Sequence, residues 1–568
     1  MRAAAGTFVI PTTASIAAIT RQSGVSMQGL MMDNYPLTIG ALVRRAALLF
    51  PRREIVSRRP DKTIHRTTFA VVEERARRLS AALRAMGLQR GDRIATLAWN
   101  HADHLAAYYG IPSGGYVTHT LNLRLHPDDL AFIATHGGDR AIIVDEVLLP
   151  LLEKFRDRTP IEHVLVMRTS DAPLPAYAMD FDTVVANAQL DGSEFPDLDE
   201  RSAAGMCYTS GTTGKPKGVL YSHRSTCLHT LSECLPSALG LTERDSVLAI
   251  VPMFHANAWG LPFASAMMGA RQIMPGPHLD ANSLLELIRQ ERVTMIAGVP
   301  TIMLGLLAAL DANPTAYDVS SVRIAVIGGS AVPESLIRSL STRYGIEVLQ
   351  GWGLTETSPL ASVGSVPPEM DGADADTLFR YRARQGRVAP FIEIRARSED
   401  NTLALWDGMA MGELEVRGSW VLAAYYNAEN GASRFTADGW FKTGDIASIH
   451  SDGSIEIRDR SKDVIKSGGE WISSVALENA LMGHPAVAEA TVIAVAEARW
   501  QERPLAVVVL KPGATVTHHE LVAFLELQFP KWWMPDATEF VDVIPKTSAG
   551  KFLKMALRER FARRLLDG

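Results

Sequence analysis

The sequence predicts an α/β protein with a large N-terminal domain of layered sheets and helices and a small α+β domain at the C-terminus. Apolar stretches such as 322–329 alternate with amphipathic ones such as 334–345, a pattern typical of parallel strands covered by helices. After residue 410 the pattern changes to short alternating segments punctuated by glycine, which indicates antiparallel hairpins. The last hundred residues return to mixed helix and strand.

The predicted elements can be justified in chain order. Residues 69–87 place apolar side chains at helical spacing and end at Gly87, which favours a helix C-terminus. Short apolar stretches predict buried strands at 92–99, 141–146, 246–252, 293–300 and 322–329. Further helical spacing predicts helices at 283–291 and 334–345.

Length and composition exclude several classes of protein. A chain of 568 residues is too long for one ordinary domain. The net charge of −6 disfavours a nucleic-acid-binding protein, which more often has a basic excess. The three cysteines form no CxxC pair, so neither a disulfide scaffold nor a zinc motif is indicated. No apolar run is long enough for a transmembrane segment, and we expect a cytoplasmic enzyme.

Residues 1–32 differ from the rest because they contain neither Asp nor Glu. Their apolar run is broken at Pro11 and only Arg2 precedes it, which disfavours a signal peptide. We expect a disordered N-terminal extension, or translation that starts at Met27 or shortly after it.

The segment YTSGTTGKPKG (208–218) is the strongest candidate for a ligand-binding loop. It combines hydroxyl groups, glycines and two lysines, which together suit a polyphosphate. A Walker P-loop requires Ser or Thr after its Gly-Lys pair, whereas Pro216 follows Lys215 here. We therefore expect a phosphate-binding loop of another type, preceded by a short strand.

This loop and further segments resemble, in the same order, the signatures of the adenylate-forming superfamily, which comprises acyl-CoA synthetases, peptide-synthetase adenylation domains and luciferases. The segments are VPMFHANAWG (251–260), GGSAVP (328–333), QGWGLTETSP (350–359), GELEVRG (412–418), WFKTGDIA (440–447), DRSKDVIKSGGEWIS (459–473) and PKTSAGK (545–551). HANAWGLPF and KWWMPD are most similar to bacterial fatty-acyl-CoA ligases. The resemblance implies an adenylating domain over 33–459 and a mobile C-terminal domain over 460–568.

The implied reaction has two steps and needs ATP, CoA and Mg²⁺. A carboxylate attacks the α-phosphate of ATP to give acyl-AMP and pyrophosphate, and the CoA thiol then displaces AMP. Medium- or long-chain fatty acids are the expected substrates, and a homodimer is compatible with the resemblance. A short thioether acid, an aryl-propenoate, acyl transfer to a carrier protein, a luciferase-like monooxygenase and a catalytically silent nucleotide-binding regulator remain alternatives.

The resemblance also implies roles for individual residues. Lys551 would be the catalytic lysine of adenylation, and Glu356 the magnesium-binding carboxylate, which suffices beside a triphosphate because Mg²⁺ keeps several waters. His255 would position and gate the acyl group rather than act as a base, because the acid is already ionised at neutral pH. Phe254 and Trp259 would border the acyl pocket. The implied ATP- and AMP-binding residues are Thr209, Ser210, Gly211, Thr212, Thr213, Gly214, Lys217, Gly329, Ser330, Ala331, Gly351, Trp352, Thr355, Asp445 and Arg460.

The two steps place conflicting demands on the C-terminal domain. Lys551 must lie over the phosphates in the first step, yet CoA must reach the same carbon in the second. The domain therefore has to reorient about a few backbone torsions. The resemblance places this hinge at Lys462, and Gly468 and Gly469 would let CoA pass close to the backbone.

Overall fold

The computed structural model describes residues 31–32, 34–209, 215–428, 431–468, 470–497, 499–546 and 551–562. Residues 37–568 form one unit and residues 1–36 another. All but two residues of the predicted extension 1–32 lie outside the described part of the chain, so its disorder stays a prediction.

Two large sheets dominate the N-terminal part of the described chain. The first has nine strands, parallel in its centre and antiparallel at both edges. In spatial order they are Arg387–Val388, Leu360–Val363, Glu347–Gly353, Ile324–Gly328, Met295–Gly298, Ser246–Ala249, Arg271–Met274, Glu54–Arg58 and Ile64–Thr68. The central strands are buried on both faces, which explains their continuous apolar sequences.

The second large sheet has seven strands within the described residues, and again parallel pairing predominates. In spatial order they are Ala178–Asp180, His163–Met167, Asp139–Asp145, Arg93–Leu97, Val117–Thr120, Ala203–Tyr208 and Gly218–Ser222. The last strand pairs antiparallel with its neighbour, so Ala203–Tyr208 and Gly218–Ser222 form a hairpin around the predicted phosphate loop.

Helices cover these sheets, as the sequence predicts. The described α-helices run over Ile39–Leu49, Phe69–Ala85, Ala102–Ser113, Pro127–Gly137, Leu149–Leu152, Phe181–Asn187, His223–Cys234, Leu261–Met268, Ala281–Glu291, Pro300–Ala312, Glu334–Tyr344, Ala375–Arg382, Ser474–Met482, His518–Glu526 and Lys554–Phe561. Short 3₁₀ turns lie at Glu146–Leu148, Arg156–Arg158, Ala256–Gly260, Thr355–Thr357, Pro368–Met370, Gly431–Arg434 and Lys531–Trp533. Among the described helices, none combines the length and apolar character that a membrane span requires.

The predicted strands and helices are confirmed, with two informative differences in their ends. The prediction for 293–300 included Pro300 in a strand, but Pro300 begins the next helix, a position that its fixed φ suits. The prediction for 246–252 is also too long, because strand pairing ends at Ala249. Beyond that residue the chain lines a cavity and is held by the side chain of Asn100, which follows the strand Arg93–Leu97 of the other large sheet.

The pattern after residue 410 reflects a four-stranded antiparallel sheet. Its strands are Ile392–Arg397, Met411–Gly418, Phe441–Ile449 and Ile455–Arg460. The smaller C-terminal part has its own sheet, in which the described strands are Glu470–Ile472, Ile465–Ser467, Gln501–Leu510, Val487–Glu497 and Ala537–Phe540. This sheet and the helices 474–482 and 518–526 share a separate apolar core. The chain passes from one sheet to the other between Arg460 and Ile465.

Candidate active site

The predicted phosphate loop connects the two strands of the hairpin in the seven-stranded sheet. The backbone N–H of Thr209 donates to the carbonyl oxygen of Lys217 at 3.0 Å. In return the N–H of Lys217 donates to Thr209 Oγ1 at 3.2 Å. These two bonds hold the ends of the loop together. The contacts predicted for Ser210, Gly211, Thr212, Thr213 and Gly214 lie outside the described residues.

Aromatic rings support both lysines at the end of this loop. The ammonium of Lys215 lies 5.1 Å from the ring centroid of Phe132, and that of Lys217 lies 5.0 Å from that of Tyr425. Both distances allow a cation–π interaction. Tyr425 and Phe132 lie far apart in the sequence and were not among the predicted site residues.

Glu356 lies in the 3₁₀ turn Thr355–Thr357, where tyrosine hydroxyls hold both the backbone and the side chain. The hydroxyl of Tyr221 donates to the carbonyl oxygen of Thr355 at 2.8 Å. The hydroxyl of Tyr425 donates to Glu356 Oε1 at 2.6 Å. Throughout the described residues no three His, Cys, Asp or Glu side chains cluster as a metal cage. One oriented carboxylate nevertheless fits Mg²⁺, which commonly takes one or two carboxylates together with waters and phosphate oxygens.

Trp352, Asp445 and Arg460 meet at the predicted nucleotide site. Trp352 Nε1 donates to Asp445 Oδ2 at 2.9 Å, and Arg460 Nε lies 2.9 Å from Asp445 Oδ1. Asp445 and Arg460 are cross-strand neighbours, and Asp445 is only 2 % exposed. The sequence predicts that Trp352 offers an aromatic face to the adenine. In the structure its indole N–H also orients the carboxylate of Asp445. Each carboxylate oxygen still has capacity for a hydroxyl donor.

The glycine-rich segments of the predicted adenine site lie side by side. Strands Ile324–Gly328 and Glu347–Gly353 pair in parallel, so Gly329 and Gly351 lie at the same edge of the sheet. Gly329 has a φ of +86°, which disfavours any side chain there. In the loop that follows, Ser330 is exposed and Ala331 is half-buried.

A cavity brings together the predicted acyl-binding residues and Lys551. Its lining includes Phe254, His255, Trp259, Gly329 and Lys551. The remaining lining residues are Asn122, Arg124, Ile250, Val251, Pro252, Leu279, Gly298, Val299 and Ile302. Lys551 is distant from all of these residues in the sequence, yet it lines the same cavity.

The turn that carries Trp259 has an unusual backbone. Four consecutive residues, Ala256 to Trp259, have φ between +44° and +58°, a left-handed conformation that is costly for residues other than glycine. Asn257 Oδ1 supports this turn by accepting bonds from the Tyr108 hydroxyl at 3.3 Å and from Cys207 Sγ at 3.5 Å. The turn thus points Trp259 into the cavity through a strained but well-supported backbone.

Asn100 is a second support that sequence reasoning missed. Its amide Nδ2 donates to the carbonyl oxygens of Ala249 at 3.0 Å and Val251 at 2.9 Å. Its Oδ1 accepts a bond from the N–H of Met253 at 2.7 Å. The side chain is buried, and it secures the chain from the end of the strand to the cavity wall. No local pattern marks such an asparagine, because its partners are about 150 positions away.

The electrostatic environment separates the roles of His255 and Lys551. Burial, together with the nearby charges of Lys551 and Arg124, lowers the pKa of His255 to about 4, so its imidazole is neutral at physiological pH. Burial, with the positive charge of Arg460 next, lowers the pKa of Lys551 to about 8, although Asp445 and Glu356 oppose this shift. Lys551 therefore lies within electrostatic range of the predicted ribose and metal ligands.

A buried polar network anchors the chain just after Lys551. Lys554 Nζ lies 2.6 Å from Glu478 Oε1 and donates to Ser474 Oγ at 2.6 Å. The N–H of Ser474 in turn donates to Asp459 Oδ2 at 2.7 Å. The network joins the helix that follows Lys551 to the strand that ends at Arg460.

The predicted hinge residue Lys462 lies between the strands Ile455–Arg460 and Ile465–Ser467, and the predicted CoA-binding residue Gly468 follows the second strand. Lys462 is exposed in a turn where the N–H groups of residues 463 and 464 both donate to the carbonyl oxygen of Arg460. Gly468 has a φ of +61°, and an added Cβ would lie 2.7 Å from the Trp500 ring. Glycine is thus required there by the backbone and by the indole. Gly469 lies outside the described residues, and the roles of these residues in movement and CoA binding stay predictions.

Sequence comparison finds two matching families. The family described as "AMP-binding enzyme" matches residues 43–426, and the one described as "AMP-binding enzyme C-terminal domain" matches residues 476–551. A long-chain-fatty-acid–CoA ligase of Thermus thermophilus is 46% identical over 545 residues, covering 94% of this chain and 99% of that protein. A 3-methylmercaptopropionyl-CoA ligase of Ruegeria pomeroyi is 42% identical, with 94% and 99% coverage. A medium-chain-fatty-acid–CoA ligase of Ectopseudomonas oleovorans is 40% identical, with 95% and 98% coverage.

Solved structures agree with the fold. A Mycobacterium tuberculosis fatty acyl CoA synthetase has a TM-score of 0.69 at 28% identity, with coverage of 94% of this chain and 100% of that one. An anthranilate CoA ligase in complex with anthranoyl-AMP has a TM-score of 0.83 at 24% identity, with 95% and 100% coverage. The second likeness concerns the fold alone.

Proposed function

This chain belongs to the AMP-binding enzyme family, and on that premise we propose that it activates medium- or long-chain fatty acids. The reaction class follows from the family and from relatives that match nearly the whole chain. The protein is an ATP-dependent acyl-CoA ligase, which converts a carboxylic acid, ATP and CoA into acyl-CoA, AMP and pyrophosphate.

The observation that carries the choice of acid is the cavity beside Lys551. Most of its lining side chains are apolar, as is usual for the site of an apolar ligand. The polar and charged side chains of the lining include His255, Arg124 and Lys551, and the charges of the last two help to lower the pKa of His255. An acid with an apolar chain matches this division. A short thioether acid would contact fewer of these apolar side chains.

In the adenylation step, we assign charge stabilisation to Lys551. Its ammonium would neutralise the negative charge that develops as the carboxylate attacks the α-phosphate. Asp445 would accept hydrogen bonds from the ribose hydroxyls, while Trp352 and Arg460 keep its carboxylate oriented. His255 is neutral and would shape the acyl cavity, whereas Lys551 would supply the positive charge.

We assign the magnesium site to Glu356. A bound Mg²⁺ would neutralise part of the triphosphate charge at this carboxylate. The residues of this chain supply the rest of the phosphate site, namely Lys217 and the loop that ends there, with Thr355 beside the carboxylate.

For the thioester step we propose that residues 460–568 reorient about Lys462. The turn at Lys462 is exposed and joins two sheets with separate cores, which suits a hinge. The movement would withdraw Lys551 and bring Gly468 and Gly469 to the acyl-adenylate, where CoA enters.

A panel of acids tests the proposed substrate class. The enzyme is given ATP, Mg²⁺, CoA and one of butyrate, octanoate, palmitate, cinnamate or 3-methylmercaptopropionate, and AMP release and free-thiol loss are followed. We expect the highest kcat/KM with octanoate or palmitate. A higher value with 3-methylmercaptopropionate or cinnamate would refute the fatty-acid proposal while leaving the ligase class intact.

Lys551→Ala tests whether this lysine serves only the adenylation step. It should lose formation of acyl-AMP and retain thioester formation from supplied acyl-AMP. Equal loss of the two half-reactions would contradict the assignment of Lys551 to adenylation alone.

A further inference from the structure

We propose that Tyr425 is a positioning residue that holds Lys217 and Glu356 together for the metal-bound triphosphate. The inference rests on the phosphate and magnesium roles assigned to those two residues above. Tyr425 itself belongs to no motif singled out in the sequence.

Tyr425 is the side chain that touches both groups. Its hydroxyl donates to Glu356 Oε1 at 2.6 Å, and the ammonium of Lys217 lies 5.0 Å from the centroid of its ring. A carboxylate can only accept hydrogen bonds, so the phenol is the donor. Burial, reinforced by the charge of Glu356, raises the pKa of Tyr425 and keeps the phenol protonated.

The position of Tyr425 is itself tightly determined. Its side chain is 8 % exposed, and its ring packs against Phe441 with centroids 6.3 Å apart. The N–H of Leu422 donates to the carbonyl oxygen of Glu356 at 2.9 Å, and the N–H of Tyr426 donates to that of Gly218 at 2.9 Å. The segment 422–426 is thus joined to the metal turn and to the strand that follows the phosphate loop.

This arrangement has a direct consequence for metal binding. The phenol donates to Oε1 of Glu356 and restricts rotation of the carboxylate, which would orient this side chain for Mg²⁺. The ring beneath Lys217 keeps the ammonium beside the same region. A hydrogen-bond partner that orients a metal ligand typically contributes about 10–100-fold to metal affinity or activity.

Tyr425→Phe and Tyr425→Leu separate the two contacts. The first keeps the ring beneath Lys217 and removes only the hydroxyl, and the second removes both. Tyr426→Phe is the matched control, because it deletes the hydroxyl of the neighbouring tyrosine and keeps the ring, which packs against His136. Thioester formation from supplied acyl-AMP reports whether each variant is folded.

The decisive measurement is binding rather than turnover. Mn²⁺, which prefers the same oxygen ligands, is titrated by electron paramagnetic resonance into enzyme saturated with α,β-methylene-ATP. We expect Tyr425→Phe to weaken Mn²⁺ binding about tenfold and Tyr426→Phe to leave it unchanged. In EDTA, calorimetry should show unchanged nucleotide affinity for Tyr425→Phe and weaker affinity for Tyr425→Leu.

Glu356→Gln distinguishes failure of this inference from failure of the proposed metal site. If Glu356→Gln binds Mn²⁺ as tightly as the wild type, the magnesium assignment is wrong and the role of Tyr425 falls with it. If Glu356→Gln weakens binding but Tyr425→Phe does not, the role of Tyr425 alone is overturned.

Discussion

Raising the pH through about 8 should slow adenylation progressively, because Lys551 loses its proton there. Burial is the largest cause of this lowered pKa, since it disfavours the charged ammonium. The positive charge of Arg460 acts in the same direction, and Asp445 and Glu356 oppose it. In the role proposed for Lys551 the reactive form is the protonated one, so activity is expected below the pKa and lost above it.

The size of the effect follows from the titration of a single group. With a pKa of about 8, the protonated fraction falls from ~0.9 at pH 7 to ~0.1 at pH 9, so the rate falls about tenfold. The value of kcat/KM for ATP reports the free enzyme, whereas kcat reports the enzyme with ATP bound. The negative triphosphate favours the ammonium, so the basic limb of kcat should lie at higher pH than that of kcat/KM.

The assay follows acid-dependent pyrophosphate release between pH 6 and 10 without CoA. Lys551→Arg is the matched variant, because a guanidinium stays charged over this whole range. Its activity will be lower, but its kcat/KM should lose the basic limb. A limb near pH 8 that persists in Lys551→Arg would show that another group titrates and would refute the reasoning.

Two further predictions concern the support of the cavity and the hinge. Asn100→Ala should lower the free energy of unfolding, measured by denaturant titration, by about 2–4 kcal/mol, because it leaves buried polar groups of the segment 249–253 without partners. It should also raise KM for the acid. The control variant Asn187→Ala, at an exposed helix end, should change neither quantity. Lys462→Pro should spare pyrophosphate release and slow thioester formation, because it stiffens the backbone beside Arg460. Thioester formation at the wild-type rate would show that the hinge does not lie at residue 462.

Much of the fold could be predicted because its signals are local. The apolar runs of buried parallel strands and the helical spacing between them are read from neighbouring residues, and both were confirmed. The ends of elements were less certain. The strand from Ser246 stops at Ala249, and Asn100, which follows the strand Arg93–Leu97 of the other large sheet, binds the backbone there through hydrogen bonds to Ala249 and Val251. Such a contact leaves no mark in the local pattern.

The candidate site shows the same division. The motifs identified Lys551, Glu356 and Asp445 by their resemblance to known signatures. They did not identify Tyr425 or Asn100, whose importance comes from a hydroxyl and an amide that reach across separate elements. A tyrosine in an apolar segment has the appearance of ordinary core until its neighbours are known.

The sequence by itself determined the fold class and the family, and it predicted which chemical groups serve the reaction, because periodicity and motifs are properties of adjacent residues. Only the tertiary structure decided the environment of those groups. It partly buries Lys551 within electrostatic range of Arg460, lines the adjoining cavity mostly with apolar side chains, and places Tyr425 in contact with both Lys217 and Glu356. Burial and charge proximity depend on which distant segments pack together, and they set the pKa and orientation of each group.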